Sequence, residues 1–295
     1  MNFLEATVCA MTTPGLDVLR IKRSKGVRHY AHLVHAPADF GKYKLFSFDY
    51  YDSVFVSGEH QAKSLRSLET YRGTHSKQIY NIGCLYYDEL TKTLSNKKTD
   101  CSNSHPTILV APTWGSNGLL SKYGIDLLKP LLKSGYHIIL RPHPQSYISE
   151  TDILEDLNNS LQDFKNLTWN RDVNGLDVMS RADILISDIS GIIFDFAFLF
   201  YKPVITLKFA VEKGGTEAND LPHDAWELGI LDVIGKQVSE SDIPMIEKII
   251  TKLLSSSIQE DKIRALRNKS MYNFGSAASL AADHLIKLVQ STIND

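Results

Sequence analysis

The sequence predicts an α/β protein with two domains, each built on a parallel sheet. Its 295 residues are enough for two domains of ordinary size. Short apolar runs alternate with amphipathic stretches, which is typical of strand–helix–strand units and of parallel sheets. A polar, turn-forming segment at residues 95–106 interrupts this alternation. We therefore expect a short first domain at residues 1–104, a second domain at residues 105–275, and a C-terminal helix within residues 276–295.

Individual elements follow from the same patterns. Strands predicted from short apolar runs lie at residues 53–57, 79–83, 107–111, 136–140, 182–186 and 203–207. Helices predicted from amphipathic or apolar stretches lie at residues 59–69, 125–133, 191–200 and 277–290. Pro130 is expected to kink or interrupt the second of these helices, because proline cannot donate the helical hydrogen bond.

Composition narrows the class of protein. The chain is 43% hydrophobic and 22% charged, with a net charge of −2, which excludes a disordered, collagen-like or coiled-coil protein. Its three cysteines are far apart and form no CxxC pair, so we expect a reducing cytoplasm and no zinc or redox dithiol site. No uninterrupted apolar run is long enough to span a bilayer, and the first residues lack the pattern of a signal peptide. The expected location is cytoplasmic, with attachment to a membrane surface left open.

Charge is distributed unevenly along the chain. Residues 1–104 contain 14 Lys+Arg and 10 Asp+Glu, whereas residues 105–295 carry a net charge of −6. The densest basic stretch consists of Arg20, Lys22, Arg23, Lys25 and Arg28. It is consistent either with a phosphate-bearing partner or anionic membrane surface, or with an ordinary solvated face.

The segment Arg141-Pro142-His143-Pro144 ends a predicted strand abruptly, since neither proline can donate to a ladder. In extended backbone, Arg141 and His143 are two residues apart and point the same way. A guanidinium beside an imidazole at the carboxyl end of a strand suits a phosphate, because Arg binds its oxygens and His donates a hydrogen bond or a proton. The alternative is a turn in which His143 only binds backbone.

A second motif, Ser187 to Gly191, joins a predicted buried strand to a predicted apolar helix that also carries Asp195. The free N–H groups at the start of that helix, with the hydroxyl of Ser190, favour an anion. Asp188 is expected to cap the helix or to orient a neighbour such as His143, because a carboxylate repels a phosphate. Simple helix capping would explain the same residues.

Other motifs exclude some chemistries. The loop at residues 111–118 lacks the ending of a P-loop, and no GxGxxG is present. His29, His32 and His35 do not have the spacing of a zinc site, so we favour a single functional histidine, His35. We expect no metal, no cofactor and no nucleic-acid partner.

Taken together, the motifs resemble the CDP-glycerol glycerophosphotransferase family of teichoic acid and capsule synthesis. The resemblance rests on residues 108–114 (ILVAPTW), 141–144 (RPHP), 187–195 (SDISGIIFD) and 202–205 (KPVI), in that order. Upstream, His35-Ala36-Pro37 resembles the family's His-Gly-Thr-Pro motif, and the segment from Phe48 to Glu59 resembles the strand and helix that follow it.

The resemblance implies a GT-B fold, in which two Rossmann-like domains flank the active site and the last helix packs back on the first domain. Residues 1–104 would be the acceptor-side domain, and residues 105–275 the nucleotide-donor domain. Such enzymes move glycerol phosphate from CDP-glycerol to a hydroxyl of a polyol-phosphate or lipid-linked acceptor and release CMP. His143, Ser190 and Gly191, with Arg141 nearby, would bind the donor pyrophosphate, Asp188 and Asp195 would support them, and His35 would be the base.

Two alternatives remain from the sequence. One is a GT-B glycosyltransferase that uses a nucleotide sugar, for which the loop at residues 214–220 would serve equally well. The other is a noncatalytic subunit that binds a nucleotide or polymer. A lipid-linked acceptor would bring the protein to the inner face of the cell membrane.

Overall fold

The computed structural model describes residues 3–95, 105–188, 190–208, 214–256 and 258–294. The chain divides into two compact units. The first unit comprises Met1–Asn96, Val211–Gly229 and Arg267–Asp295, and the second comprises Lys97–Ala210 and Ile230–Leu266. Residues 211–229 and 267–275, which we had assigned to the second domain, therefore group with the first unit. The predicted boundary at residues 104 and 105 falls next to residues 96–104, which lie outside the described residues. The assignment of acceptor and donor roles to the two parts stays a prediction.

The first unit contains a four-stranded parallel sheet in the order β1-β2-β3-β4. Its strands are β1 (Glu5–Met11), β2 (Gly26–Leu33), β3 (Ser53–Val56) and β4 (Gln78–Asn81). Its helices are α1 (Glu59–Arg72), α2 (Leu85–Ser95) and α11 (Ala277–Asn294). The predicted strands at 53–57 and 79–83 and helices at 59–69 and 277–290 are confirmed, with ends that differ by a few residues. The contacts of α11 with β1 and α2 keep it in the first unit.

The second unit contains a six-stranded parallel sheet in the order β10-β9-β8-β5-β6-β7. Its strands are β5 (Thr107–Val110), β6 (His137–Leu140), β7 (Leu167–Trp169), β8 (Ile184–Ser187), β9 (Val204–Leu207) and β10 (Gly235–Val238). The four predicted strands, which correspond to β5, β6, β8 and β9, are confirmed. Every residue of β5, β8 and β9 is buried, as expected for inner strands of a sheet that is covered on both faces.

Helices fill the connections of this sheet. Their ranges are α3 (Leu119–Lys133), α4 (Ser146–Ser149), α5 (Thr151–Leu161), α6 (Leu176–Arg181), α7 (Ile192–Phe200), α8 (Trp226–Ile234), α9 (Ile246–Leu254) and α10 (Ile258–Ser270), of which α8 and α10 run across a boundary between the units. Helix α3 begins six residues before the predicted start and is continuous through Pro130, which lies in its last turn. None of the helices in the described part of the chain combines the length and apolar composition that crossing a membrane requires.

The core of the first unit includes a histidine. His32 is fully buried in β2, and its imidazole ring lies 5.1 Å from the ring of Phe48 and 4.9 Å from that of Tyr51. Neither ring nitrogen has a hydrogen-bond partner among the described residues. Burial, with a smaller contribution from nearby His35, lowers the pKa of His32 to about 3. The imidazole is therefore neutral at physiological pH.

We expect His32 to make the protein sensitive to mild acid. In the unfolded chain a histidine has a pKa of about 6.5, so between that value and the folded value only the unfolded state binds the proton. The contribution of neutral His32 to the free energy of unfolding is therefore fully present above about pH 6.5. Below that pH it falls by about 1.4 kcal/mol for each pH unit. Replacing His32 by phenylalanine, which suits the aromatic surroundings, should remove this slope. Urea unfolding at neutral and mildly acidic pH tests this, and an unchanged difference between the two conditions would contradict it.

Candidate functional site

The second unit gathers four loops at one edge of its sheet. Because all six strands are parallel, the segments that follow β8, β5, β6 and β7 leave the sheet at the same edge and in that spatial order. Ligands of open α/β sheets bind at this carboxyl edge. The three motifs that the sequence singled out in this part of the chain all lie there.

Arg141 follows β6 and turns toward the loop after β7. Its backbone N–H donates to Val110 O at 2.8 Å, which extends the ladder between β5 and β6 by one bond. Its guanidinium donates to Asn170 Oδ1 and, at 3.3 Å, to the carbonyl oxygen of Val173. A Cβ atom on Gly175 would lie 3.4 Å from Arg141 Nε, so the loop passes close to the guanidinium. These contacts fix the orientation of the charge.

His143 turns toward the opposite neighbour, the loop after β5. Its exposed imidazole lies 6.4 Å from the ring of Trp114, and its Nδ1 accepts a hydrogen bond from Gln145 N at 3.0 Å. The expectation that Arg141 and His143 point the same way is wrong, because a turn closed by Ser146 N and His143 O at 2.9 Å ends the extended backbone. Since Nδ1 is an acceptor, neutral His143 carries its proton on Nε2 and can donate it.

Asp188 directly follows β8, and its carboxylate binds the loop after β5. It accepts hydrogen bonds from Thr113 N at 2.9 Å and from Thr113 Oγ1 at 2.8 Å, and a longer one from Leu119 N at 3.4 Å. Asp188 is 3% exposed. Within the described residues Asp188 does not cap the following helix, and the neighbour that it orients is Thr113 rather than His143. These hydrogen bonds connect the end of β8 to the loop after β5 and supply donors to the negative charge.

Among the described residues, the helix after β8 begins without a side-chain cap. Gly191 is the N-terminal residue that flanks α7, and no described side chain bonds the backbone N–H groups there. Ser190 is half-buried beside it, and Asp195 is half-buried in the first turn. Ile189 lies outside the described residues. An uncapped helix start leaves N–H donors for an anion.

Glu150 is a residue of this site that sequence reasoning missed. Its Oε1 accepts from Gly115 N at 2.8 Å and from Ser121 Oγ at 3.0 Å, so it connects the loop after β5 to the helices that follow β6. Burial raises the pKa of Glu150, but these hydrogen bonds and the nearby imidazole of His143 outweigh burial and lower it overall. No sequence signal distinguishes Glu150 from the other acidic residues around it.

In the first unit, the three spaced histidines occupy three different environments. His29 is half-buried with Nε2 2.9 Å from Ser53 Oγ, His32 is buried in the core, and His35 is exposed just after β2. Within the described residues, no three histidine, cysteine or carboxylate side chains lie close enough together to hold a metal ion.

The loop that carries His35 is held by side chains of α1. Gln61 Nε2 donates to Ala36 O at 2.9 Å and to Ala38 O at 2.7 Å. His60 Nε2 lies 2.7 Å from Pro37 O, and its ring stacks on Trp226 at 4.1 Å. His35 therefore sits on a fixed backbone.

The loop at residues 214–220, which the sequence left available for hydroxyl recognition, is bound within the first unit. Glu217 and Asp220 both accept hydrogen bonds from the guanidinium of Arg72, which also binds Asp49 at 2.7 Å. Glu217 Oε1 also accepts from Ser47 N at 2.8 Å. The two acidic side chains of this loop are therefore engaged by the protein itself.

Known structures share this fold. The wall teichoic acid polymerase TagF matches with a TM-score of 0.52 at 15% identity, over 94% of this chain and 72% of that chain. The S. aureus MnaA–UDP structure matches with a TM-score of 0.61 at 15% identity, over 90% and 69%. A UDP-GlcNAc 2-epimerase from Neisseria meningitidis, bound to UDP-GlcNAc, gives 0.57 at 16%, over 88% and 70%. These matches confirm the GT-B-like α/β fold with two parallel sheets.

Sequence comparisons identify the family. A comparison with curated proteins finds no match. The family model described as CDP-Glycerol:Poly(glycerophosphate) glycerophosphotransferase matches residues 35–273, which include every predicted site residue from His35 to Asp195. Because that match covers most of the chain, the protein belongs to this family of CDP-glycerol glycerophosphotransferase enzymes.

Proposed function

We propose that this protein transfers glycerol phosphate from CDP-glycerol to a hydroxyl of a polyol-phosphate or lipid-linked glycan acceptor and releases CMP. One observation carries the proposal. At the carboxyl edge of the six-stranded sheet, His143 has an Nε2–H available to donate, and the uncapped start of α7 lies two strands away. Family membership supplies the donor class, and a TagF variant has been soaked with CDPG.

We assign the donor pyrophosphate to the space between the loops after β6 and β8. These strands flank β5, so the two loops are about 10 Å apart, a span that a pyrophosphate and its substituents bridge. The N–H groups at Gly191 and the hydroxyl of Ser190 would bind one phosphate. His143 Nε2 would donate to the other, and the oriented guanidinium of Arg141 would add positive charge. Asp188 and Asp195 would act in support.

The reaction follows from this arrangement. The acceptor oxygen attacks the phosphorus that bears glycerol, and the bond from that phosphorus to the bridging oxygen breaks. CMP leaves with the bridging oxygen and the electron pair, and His143 Nε2–H with the start of α7 stabilises its charge. We assign His35 as the base that takes the proton of the acceptor hydroxyl.

The basic stretch of the first unit supports an anionic acceptor or membrane surface. Arg20, Lys22, Lys25 and Arg28 are exposed, whereas Arg23 pairs with Asp52 at 2.9 Å. Exposed cations attract anionic lipid headgroups or a phosphate-bearing polymer. We therefore place the proposed reaction, a step of teichoic acid or capsule synthesis, in the cytoplasm at the inner face of the membrane.

Calorimetric titration tests the donor class. CDP-glycerol, CDP-ribitol and UDP-sugars would be titrated into the full chain, and CMP release would then be measured with a glycerol-phosphate acceptor. We expect CDP-alditols to bind selectively and CMP to form. Selective binding of UDP-sugars would instead identify a glycosyltransferase, and CDP-glycerol binding without CMP release would identify a noncatalytic subunit.

Replacing Ser190 by alanine should weaken CDP-glycerol binding about tenfold to a hundredfold, because one hydrogen bond to a charged phosphate is lost. The side chain is half-buried and fills no core position, so the melting temperature should stay unchanged. Titration of both proteins under the same conditions measures the difference. An unchanged affinity would remove Ser190 from the donor site.

A further inference from the structure

A pocket of about 540 Å³ lies in the second unit beside the edge strand β7. One face of helix α5 forms one wall, through Thr151, Leu154, Glu155, Asn158 and Asn159. Its volume is within the range of small-molecule sites. None of these residues belongs to the donor site described above.

Several polar groups in this pocket have no protein partner. The hydroxyl of Tyr147 is shielded from solvent and makes no hydrogen bond within the described residues. The side chains of Glu155, Asn158 and Asn159 are exposed, and no partner is found for them in the described ranges. The Tyr147 hydroxyl lies behind the pocket wall, so the groups that a ligand can reach are the exposed side chains.

The opposite wall is aromatic and carries one cation. Trp169, the last residue of β7, is half-buried, and Arg171 follows it two residues later. The guanidinium of Arg171 lies 4.4 Å above the ring of Tyr147 and forms no ion pair within the part of the chain described. The pocket therefore presents the indole ring of Trp169, the guanidinium of Arg171, the side-chain amides of Asn158 and Asn159, and the carboxylate of Glu155.

The charged side chains at this pocket indicate which class of ligand it can bind. Glu155 lines the pocket and is opposite in charge to its cation, Arg171, and helix α5 also carries Asp152 and Asp156, so a phosphate chain meets no net positive charge there. Adjacent ligand hydroxyls, in contrast, donate to a carboxylate and accept from amides and a guanidinium. The C–H face of a sugar ring packs on a flat aromatic side chain, and the volume exceeds what one glycerol unit fills.

We propose that this pocket binds a neutral sugar residue. Its assignment to the glycan part of the acceptor rests on the proposed function, whereas the binding itself does not. Glu155 and the two asparagines would bind the ring hydroxyls, Trp169 would support the ring, and Arg171 would donate to a ring or glycosidic oxygen. The site would hold the acceptor at a place separate from the donor.

Nuclear magnetic resonance of the full ¹⁵N-labelled chain tests the proposal. Neutral methyl hexopyranosides and N-acetylhexosaminides would be titrated to tens of millimolar, with glycerol as a second arm. We expect saturable shifts of the side-chain amides of Asn158 and Asn159 and of the Trp169 indole with a sugar. Asn158→Ala and Arg171→Ala should each weaken binding about tenfold. Ser160→Ala, an exposed change on α5 outside the pocket, is the matched control and should leave it unchanged.

The outcomes are distinguishable. The absence of saturable shifts for every sugar, or saturation by glycerol alone, would overturn the proposal. Equal weakening by Ser160→Ala would also overturn it, since the effect would not belong to the pocket. CDP-glycerol titration and CMP release report separately on the proposed function. If sugar binds while CMP release fails, the site stands and its assignment to an acceptor is lost.

Discussion

Replacing His143 by alanine should lower the rate of CMP release by a factor of about 10² to 10³, the range expected when a hydrogen-bond donor that stabilises charge in the transition state is removed. The imidazole is exposed and makes one local hydrogen bond to Gln145 N, so its loss should leave folding almost unchanged. Donor binding should weaken much less than the rate, because the helix start at Gly191 and the guanidinium of Arg141 remain. Steady-state assays of CMP release, with donor titration in parallel, give both quantities.

A histidine at the start of β6, the strand that precedes His143, supplies the control. His137 begins β6 at the opposite edge of the sheet, where its Nε2 lies 3.3 Å from Thr168 Oγ1. The His137→Ala protein should keep its rate. If both variants lose activity equally, or if His143→Ala keeps it, His143 has no specific role in the chemistry.

The sequence predicted best those elements whose pattern reflects burial on both faces. Strands β5, β8 and β9 consist mainly of apolar residues because both faces of the sheet are covered, so their positions could be predicted from short apolar runs. Strands β1 and β2 went unpredicted because polar residues such as Glu5 and His32 interrupt the apolar pattern. His32 is nevertheless fully buried, which no periodicity indicates.

Some features of the candidate site could likewise be predicted from the sequence, and others could not. Parallel topology brings the ends of strands to one edge, so the sequence could predict that the segments around His143 and Ser190 lie there. It could not predict which loop each side chain contacts. Asp188 binds Thr113, which is 75 residues away in the chain, and Arg141 binds Asn170 across the sheet edge. These pairs depend on the order of the strands in the sheet and on the turn at His143. Neither feature produces a pattern in the neighbouring sequence from which it could be predicted.

Replacing Asp188 by asparagine should lower the free energy of unfolding by about 2–3 kcal/mol and weaken CDP-glycerol binding at least tenfold. The substitution keeps the side-chain volume. However, it removes a buried negative charge that Thr113 N, Thr113 Oγ1 and Leu119 N all bind, and the new amide N–H group faces donors. The loop that contains Thr113 also contains Trp114, which lies beside His143. A loosened loop should therefore disturb the donor site as well as the fold.

A matched substitution at the opposite end of β8 distinguishes the loss of stability from the loss of CDP-glycerol affinity. Asp183 accepts a hydrogen bond from Thr107 N at 2.8 Å, at the edge of the sheet away from the donor site. Asp183→Asn should lower stability by about 1 kcal/mol and leave CDP-glycerol affinity unchanged. Urea unfolding and donor titration of both variants make the comparison. If Asp188→Asn loses stability but keeps its affinity, the carboxylate only holds the fold together. If Asp183→Asn weakens binding equally, the affinity responds to general destabilisation, and the Thr113 loop has no specific part in binding the donor.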